Sequence, residues 1–312
     1  LRDGFEYLDE KGKTKSFPGL FEERVFNASV KEFFRIKEKL ADYLHTQEEE
    51  DIFDYIPPQR TNQIFTPRRV VKMMVDTLEQ HNPGIFKNKE TTFIDLYAKS
   101  GLYLTEVVKR LFRGLEEEIP DEEERIKWIL ENQVYGCAPS NIIYNMVKNY
   151  VYAGYPQVSN ANLLESDLTD AAKLGWLRQA LQGRLGKEVK FDVIIGNPPY
   201  QESDGGDNVN KERSRGGAIP LYNLFVEQSK GFKPKYLSFI IPARWYSGGR
   251  GLDNFRADML KDNRISYLAD FPTASELFPN VEIKGGVCYF LWGSDYRGDC
   301  KVKNVNAGRE SV

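Results

Sequence analysis

Asn197-Pro198-Pro199-Tyr200 follows directly on an apolar run, Phe191-Asp192-Val193-Ile194-Ile195-Gly196. Two prolines cannot continue a sheet, and they stiffen the turn that follows. A strand over this run would therefore hold an amide and a phenol at its carboxyl end. The Asn197 side-chain oxygen and the Pro198 carbonyl are acceptors, and the Tyr200 ring is a stacking face. That set suits a planar exocyclic amine such as adenine N6. The nitrogen's lone pair is delocalised into its ring, and acceptors around its hydrogens favour a more tetrahedral nitrogen whose lone pair aims at an electrophilic carbon. A base in a duplex must first rotate out of the stack, at a cost that stacking on an aromatic ring helps offset. If the proton leaves after transfer no strong general base is needed, so the lack of a nearby histidine is no objection. The plainer reading is a rigid strand-ending turn with an incidental tyrosine.

The elements that must position these residues are legible in the apolar rhythm. From residue 92, short apolar runs alternate with helical patterns. Strands are expected at 93–96, 133–137, 161–164, 191–196, 236–242, 265–271 and 286–292, with helices at 104–115 and 142–152. A short helix is expected around Trp128-Ile129-Leu130, and 116–125 reads as an acidic surface crossing. Thr66 is placed to cap a helix with Pro67 in its first position, and Val70, Val71, Met74, Val75 and Leu78 form that helix's buried stripe. Strand-helix alternation with continuous apolar strands implies a parallel sheet covered on both faces. Such a sheet binds ligands at the carboxyl ends of its strands, which directs attention to the loops after Leu96, Gly136 and Gly196. Residues 1–62 show few strand signals. An amphipathic helix is expected over 25–45, closed by an acidic solvated turn at 48–51. The polar, glycine-rich stretch 201–218 is expected to be mobile without a partner.

Composition sets outer limits. At 312 residues and 41% hydrophobic content, the chain can bury one large α/β domain plus a smaller attachment. No run approaches the roughly 18 apolar residues of a membrane helix. Cys137, Cys288 and Cys300 are far apart and only His45 and His81 accompany them, which argues against a Cys/His metal site. Free cysteines in apolar runs suit a reducing compartment, the cytoplasm. A net charge of -3 does not advertise a nucleic-acid binder. It leaves open an enzyme of small molecules or a catalytic module whose main DNA-gripping surface lies elsewhere. Leu1 in place of methionine reads as a cut inside a longer protein.

Thr66-Pro67, the bend Asp95-Leu96-Tyr97-Ala98-Lys99-Ser100-Gly101, Asp167, and Asn197-Pro198-Pro199-Tyr200 occur in the order seen in gamma-class N6-adenine DNA methyltransferases of restriction-modification systems, which the chain resembles over roughly residues 60–295. The resemblance implies a Rossmann-like S-adenosylmethionine-dependent methyltransferase sheet with helices on both faces and a late antiparallel strand. It implies that Phe65, Thr66 and Pro67 border S-adenosylmethionine, that Asp95, Ala98, Ser100 and Gly101 line its methionine end, and that Asp167 stands near its adenine. Asn197, Pro198 and Tyr200 would hold the target base, with Arg244 and Arg250 as contacts to DNA phosphate. Trp245 and Tyr246 are as readily packing residues, and 284–292 reads as core.

Two departures stand out. Leu96 and Lys99 replace the proline and first glycine usual in the bend, and lysine lacks glycine's freedom at positive φ. Ala138 stands where an acidic residue commonly binds the cofactor ribose, so ribose binding must use other groups. The function expected is methyl transfer to adenine N6 in double-stranded DNA, in a catalytic domain over 63–295. Residues 1–62 would be a helical amino-terminal segment and 296–312 the start of a further region. Target recognition would lie outside the chain, and its own DNA binding would be weak and poorly selective. RNA or protein-glutamine N-methylation, and an inactive DNA-binding or assembly subunit, are the alternatives.

Overall fold

The computed structural model describes residues 5–8, 12–17, 43–44, 64–186, 188–201, 219–249, 251–278, 283–306 and 309–311. The chain divides into two compact units, Leu1–Glu48 and Glu49–Val312. In the first, β1 (Phe5–Leu8) pairs antiparallel with β2 (Thr14–Phe17). The expectation of a helical segment over 1–62 with few strand signals does not include this hairpin. Gly12, at φ 70°, supplies the positive φ that a tight reversal favours. Apart from 43 and 44, the helix expected over 25–45 and the acidic turn at 48–51 lie outside the described residues.

The second unit is built on a nine-stranded sheet. Its strands are β3 (Phe93–Asp95), β4 (Val134–Ala138), β5 (Leu163–Glu165), β6 (Val193–Gly196), β7 (Tyr236–Pro242), β8 (Ile265–Phe271), β9 (Val287–Gly293), β10 (Lys301–Asn306) and β11 (Arg309–Ser311). Their spatial order is β11-β10-β8-β9-β7-β6-β3-β4-β5. β5, β4, β3, β6 and β7 run parallel, and β9 lies antiparallel between β7 and β8. The late antiparallel strand is thus where the sequence places it. Every residue of β6 and of β9 is buried, as a sheet covered on both faces requires. β10 joins the far edge parallel to β8, so 301–306 extends this sheet.

Helices α1 (Arg68–His81), α2 (Leu102–Gly114), α3 (Glu122–Trp128), α4 (Asn141–Tyr152), α5 (Thr169–Lys173), α6 (Leu177–Leu185), α7 (Tyr222–Gly231) and α8 (Asp253–Lys261) flank the sheet. The stripe Val70, Val71, Met74, Val75 and Leu78 of α1 is buried as expected, each side chain contributing roughly 1.5–3 kcal/mol. Arg110 of α2 pairs with Asp76 and Glu79 of α1 and with Glu106 of its own helix. Part of the expected acidic crossing is α3: Asp121 caps it by accepting the Glu124 N–H at 2.8 Å. Glu122, Glu123 and Glu124 fill its first turn, where negative charge complements the helix dipole.

The chain runs from β3 outward to β4 and β5, then returns to the centre and proceeds the other way through β6 and β7. The reversal falls between β3 and β6, neighbours in register Phe93↔Val193 and Ile94↔Ile194. Both strands end at the same edge, the place where sheets of this kind bind ligands.

Candidate active site

The parallel pairing of β3 and β6 brings the bend after Asp95 beside Asn197. The approach is close enough that a Cβ on Gly196 would lie 2.6 Å from Asp95 Oδ1, so only glycine fits there. Asn197 is 3% exposed. Its Nδ2 donates to the Ile64 carbonyl at 3.3 Å and to Thr66 Oγ1 at 3.0 Å. Both donors are thereby used, and Oδ1 is a buried acceptor with no hydrogen-bond partner among the described residues. Such a group is costly and marks a place made for a donor. Thr66 corrects an expectation. The cap position of α1 is taken by Pro67 with no side-chain hydrogen bond, and the Thr66 hydroxyl instead accepts from Asn197. The Pro67 carbonyl accepts the Val70 and Val71 N–H groups, which sets the helix start without it. Phe65 is half-buried just ahead of Thr66.

The bend itself is pinned at each step. Asp95 is buried, and its Oδ1 accepts the Tyr97 N–H at 3.0 Å. The Ala98 N–H donates to the Cys137 carbonyl at 2.8 Å, tying the bend to β4. Ser100 Oγ accepts the Leu102 N–H at 3.3 Å. Gly101 sits at φ 80°, and a Cβ there would meet Val147 and Val151 of α4 at 3.3 Å. Lys99 is 6% exposed and donates to the same Ile64 carbonyl that Asn197 uses, at 3.2 Å. Its Nζ lies 5.5 Å from the Tyr97 ring centre and 5.9 Å from that of Tyr200. Burial raises the Asp95 carboxyl to about 7, opposed by the Tyr97 N–H and by Lys99. Burial lowers the Lys99 ammonium to about 8, opposed by Asp95. Lys99 is not among the described non-glycine residues at positive φ, so the bend accommodates a lysine where glycine is usual.

Pro198 is buried and Tyr200 half-buried. The Tyr200 hydroxyl is buried without a partner among the described residues, and burial beside Tyr103 and Cys288 pushes its pKa well up. The Tyr200 carbonyl accepts the Leu221 N–H, and Gln201 bridges to Pro220, so the ends of the 201–218 stretch are drawn together. The intervening residues, expected to be mobile, lie outside the described set. After β7, a short 3-10 turn (Ala243–Tyr246) buries Trp245 against Tyr246 and Phe255. Arg244 is exposed on that turn, open to an anion; Arg250 lies outside the described residues. β9 contributes core, as expected.

Asp167 follows β5 at the same edge. It is exposed, accepts the Thr169 N–H at 2.9 Å and acts electrostatically on Tyr97. It is both a local turn cap and a neighbour of the bend. At the next strand end, Ala138 pairs in register with Glu165, whose carboxylate accepts from Asn141 Nδ2 at 2.9 Å. A carboxylate thus stands one strand over from Ala138. Glu165 carries no family pattern to reveal this, and Ile64 participates through a backbone carbonyl, which no residue type announces. Among the described residues no group of His, Cys, Asp and Glu could hold a metal ion, and no helix is long and apolar enough to cross a membrane.

The family described as Eco57I restriction-modification methylase matches residues 98–278, more than half of the chain. A Mycoplasma pneumoniae protein named "Uncharacterized adenine-specific methylase" is 26% identical over 359 residues, covering 95% of this chain and 82% of that protein. Among solved structures, a nuclease-deletion mutant of the Type ISP restriction-modification enzyme LlaGI, in complex with a DNA substrate mimic, superposes with a TM-score of 0.56 at 16% identity. That match covers 78% of this chain and 24% of the other. A type I restriction-modification methyltransferase subunit from Streptococcus thermophilus gives 0.51 at 15% identity, covering 81% of this chain and 48% of the other. Identities this low show a shared fold. The chain spans about a quarter to a half of those two structures.

Proposed function

This chain belongs to the Eco57I restriction-modification methylase family, and from that premise we propose that it transfers a methyl group from S-adenosylmethionine to N6 of an adenine flipped out of double-stranded DNA. The observation that carries the reading is the buried, partnerless Asn197 Oδ1 beside the bend at 95–101, across the switch point of the sheet. The site's chemistry fits the cofactor: a buried carboxyl at Asp95 with no ion pair among the described residues, a bend whose Gly101 sits at positive φ against Val147 and Val151, and a carboxylate at Glu165 beside Ala138. Phe65, Thr66 and Pro67 would border the cofactor. Asp95, Ala98, Ser100 and Gly101 would line its methionine end, Glu165 would take its ribose hydroxyls, and Asp167 would stand near its adenine. When bound, the cofactor supplies an electrophilic methyl on a sulfonium.

The chain's own residues do the rest. The Ile64 carbonyl and Thr66 hydroxyl occupy the Asn197 amide nitrogen, which leaves its oxygen as the atom open to a donor. That oxygen and the Pro198 carbonyl accept the two amino hydrogens and draw the nitrogen toward tetrahedral geometry. The Tyr200 ring stacks on the flipped base, worth about 1–3 kcal/mol, against a flipping cost of a few. The proton left on the nitrogen after transfer passes to water. Arg244 contacts phosphate, and sequence choice falls to a target-recognition region outside this site.

Full-length protein incubated with labelled cofactor and a mixture of DNA, RNA and protein, then hydrolysed, should place label in N6-methyladenosine from DNA. Asn197→Ala should lower the rate by roughly 10² or more, as loss of a preorganised transition-state partner does. Label confined to RNA or to glutamine, or none, would overturn the reading.

A further inference from the structure

Lys99 is a buried cation in a bend whose resembled family carries glycine. Burying an ammonium costs several kcal/mol unless an anion and hydrogen bonds compensate. Of its three N–H donors, one goes to the Ile64 carbonyl. The faces of Tyr97 and Tyr200 give weak further support at 5.5 and 5.9 Å. Asp95 is the opposite charge that Lys99 senses, yet the two form no ion pair within contact distance among the described residues. A carboxylate and an ammonium, both buried in one bend and outside ion-pair distance of each other among the described residues, match a ligand that carries both charges in reverse.

We propose that Lys99 binds the α-carboxylate of the amino-acid tail of S-adenosylmethionine, opposite Asp95, which receives the α-ammonium. The proposal rests on the cofactor reading above and turns an apparent defect in the bend into a binding group. A lysine that merely braced the Ile64 carbonyl would be indifferent to the ligand's tail.

Calorimetry on the full-length protein separates these. Two probes share the nucleoside and the thioether: S-adenosylhomocysteine has the zwitterionic tail and 5′-methylthioadenosine lacks it. Lys99→Met should weaken S-adenosylhomocysteine roughly 10- to 100-fold, the worth of a charge-assisted hydrogen bond, and leave 5′-methylthioadenosine within about twofold. Lys99→Gln, which keeps a donor for the Ile64 carbonyl and guards against a folding defect, should show the same selective loss. Equal losses for both probes, or no loss for either, would overturn the proposal while leaving the cofactor reading intact. Failure of the unaltered protein to bind either probe would remove both.

Discussion

Asn197 meets two demands with one amide. Its nitrogen is spent inside the protein, and its oxygen is buried with no hydrogen-bond partner among the described residues, which the proposed role assigns to a donor from outside. The residues around it divide by charge. Burial pushes the Asp95 carboxyl up to about 7 and the Lys99 ammonium down to about 8, so a proton leaves the acid before one leaves the base and both charges coexist chiefly between those values. A zwitterionic tail requires both. Affinity for S-adenosylhomocysteine should therefore climb as pH rises through about 7, where Asp95 ionises, and decline above about 8, where Lys99 loses its proton. Tyr97 in the bend, Tyr103 of α2, Cys137 of β4 and Tyr200 after β6 surround the pair. Burial holds each of them protonated through this window. Titration calorimetry from about pH 6 to 9 tests the profile. Lys99→Met should remove its alkaline limb, and a flat profile in the unaltered protein would contradict the assignment.

At the scale of elements, register sets which side chains stand side by side at the sheet's edge. Ala138 closes β4 without a carboxylate, but pairing with β5 sets Glu165 opposite it, and Asn141 at the start of α4 orients that carboxylate. Since the ribose belongs to both thioether probes, Glu165→Ala should weaken S-adenosylhomocysteine and 5′-methylthioadenosine alike, by roughly 5- to 50-fold for a lost carboxylate acceptor. Loss of affinity for neither would assign the ribose to another group. The uniform loss contrasts with the tail-selective loss expected at Lys99, so one pair of ligands reads two ends of the site. The far half of the sheet is secured by a different device. Gly286, at φ 76°, turns the chain into β9 where a Cβ would meet the Phe271 carbonyl oxygen at 2.2 Å, and this close passage sets the register of β9 against β8 and β7.

At the scale of the molecule, 43 basic residues face 46 acidic ones, and duplex DNA is gripped mainly through phosphate neutralisation. Residues 1–312 alone should therefore bind duplex DNA no more tightly than non-specific association, roughly 10⁻⁴–10⁻⁶ M at physiological salt, with no preference among sequences. Submicromolar, sequence-selective binding in a fluorescence-anisotropy titration would contradict this. Strands β3 to β9 of the sheet, the last of them antiparallel, and the helix after Pro67 were legible along the chain, whereas β10 and β11 were not. The placing of Asn197 and Tyr200 at a strand's carboxyl end was legible as well, because apolar periodicity and proline stiffness act between near neighbours. The amino-terminal hairpin and helices α5 to α8 were not, since their short segments carry little periodic signal. The use of Thr66 as an acceptor instead of a cap, the Ile64 carbonyl shared by Lys99 and Asn197, and the pairing that sets Glu165 beside Ala138 were decided by folding alone. They join residues as many as 133 positions apart, or act through backbone atoms that every residue type shares. Only packing settles which of those atoms meet.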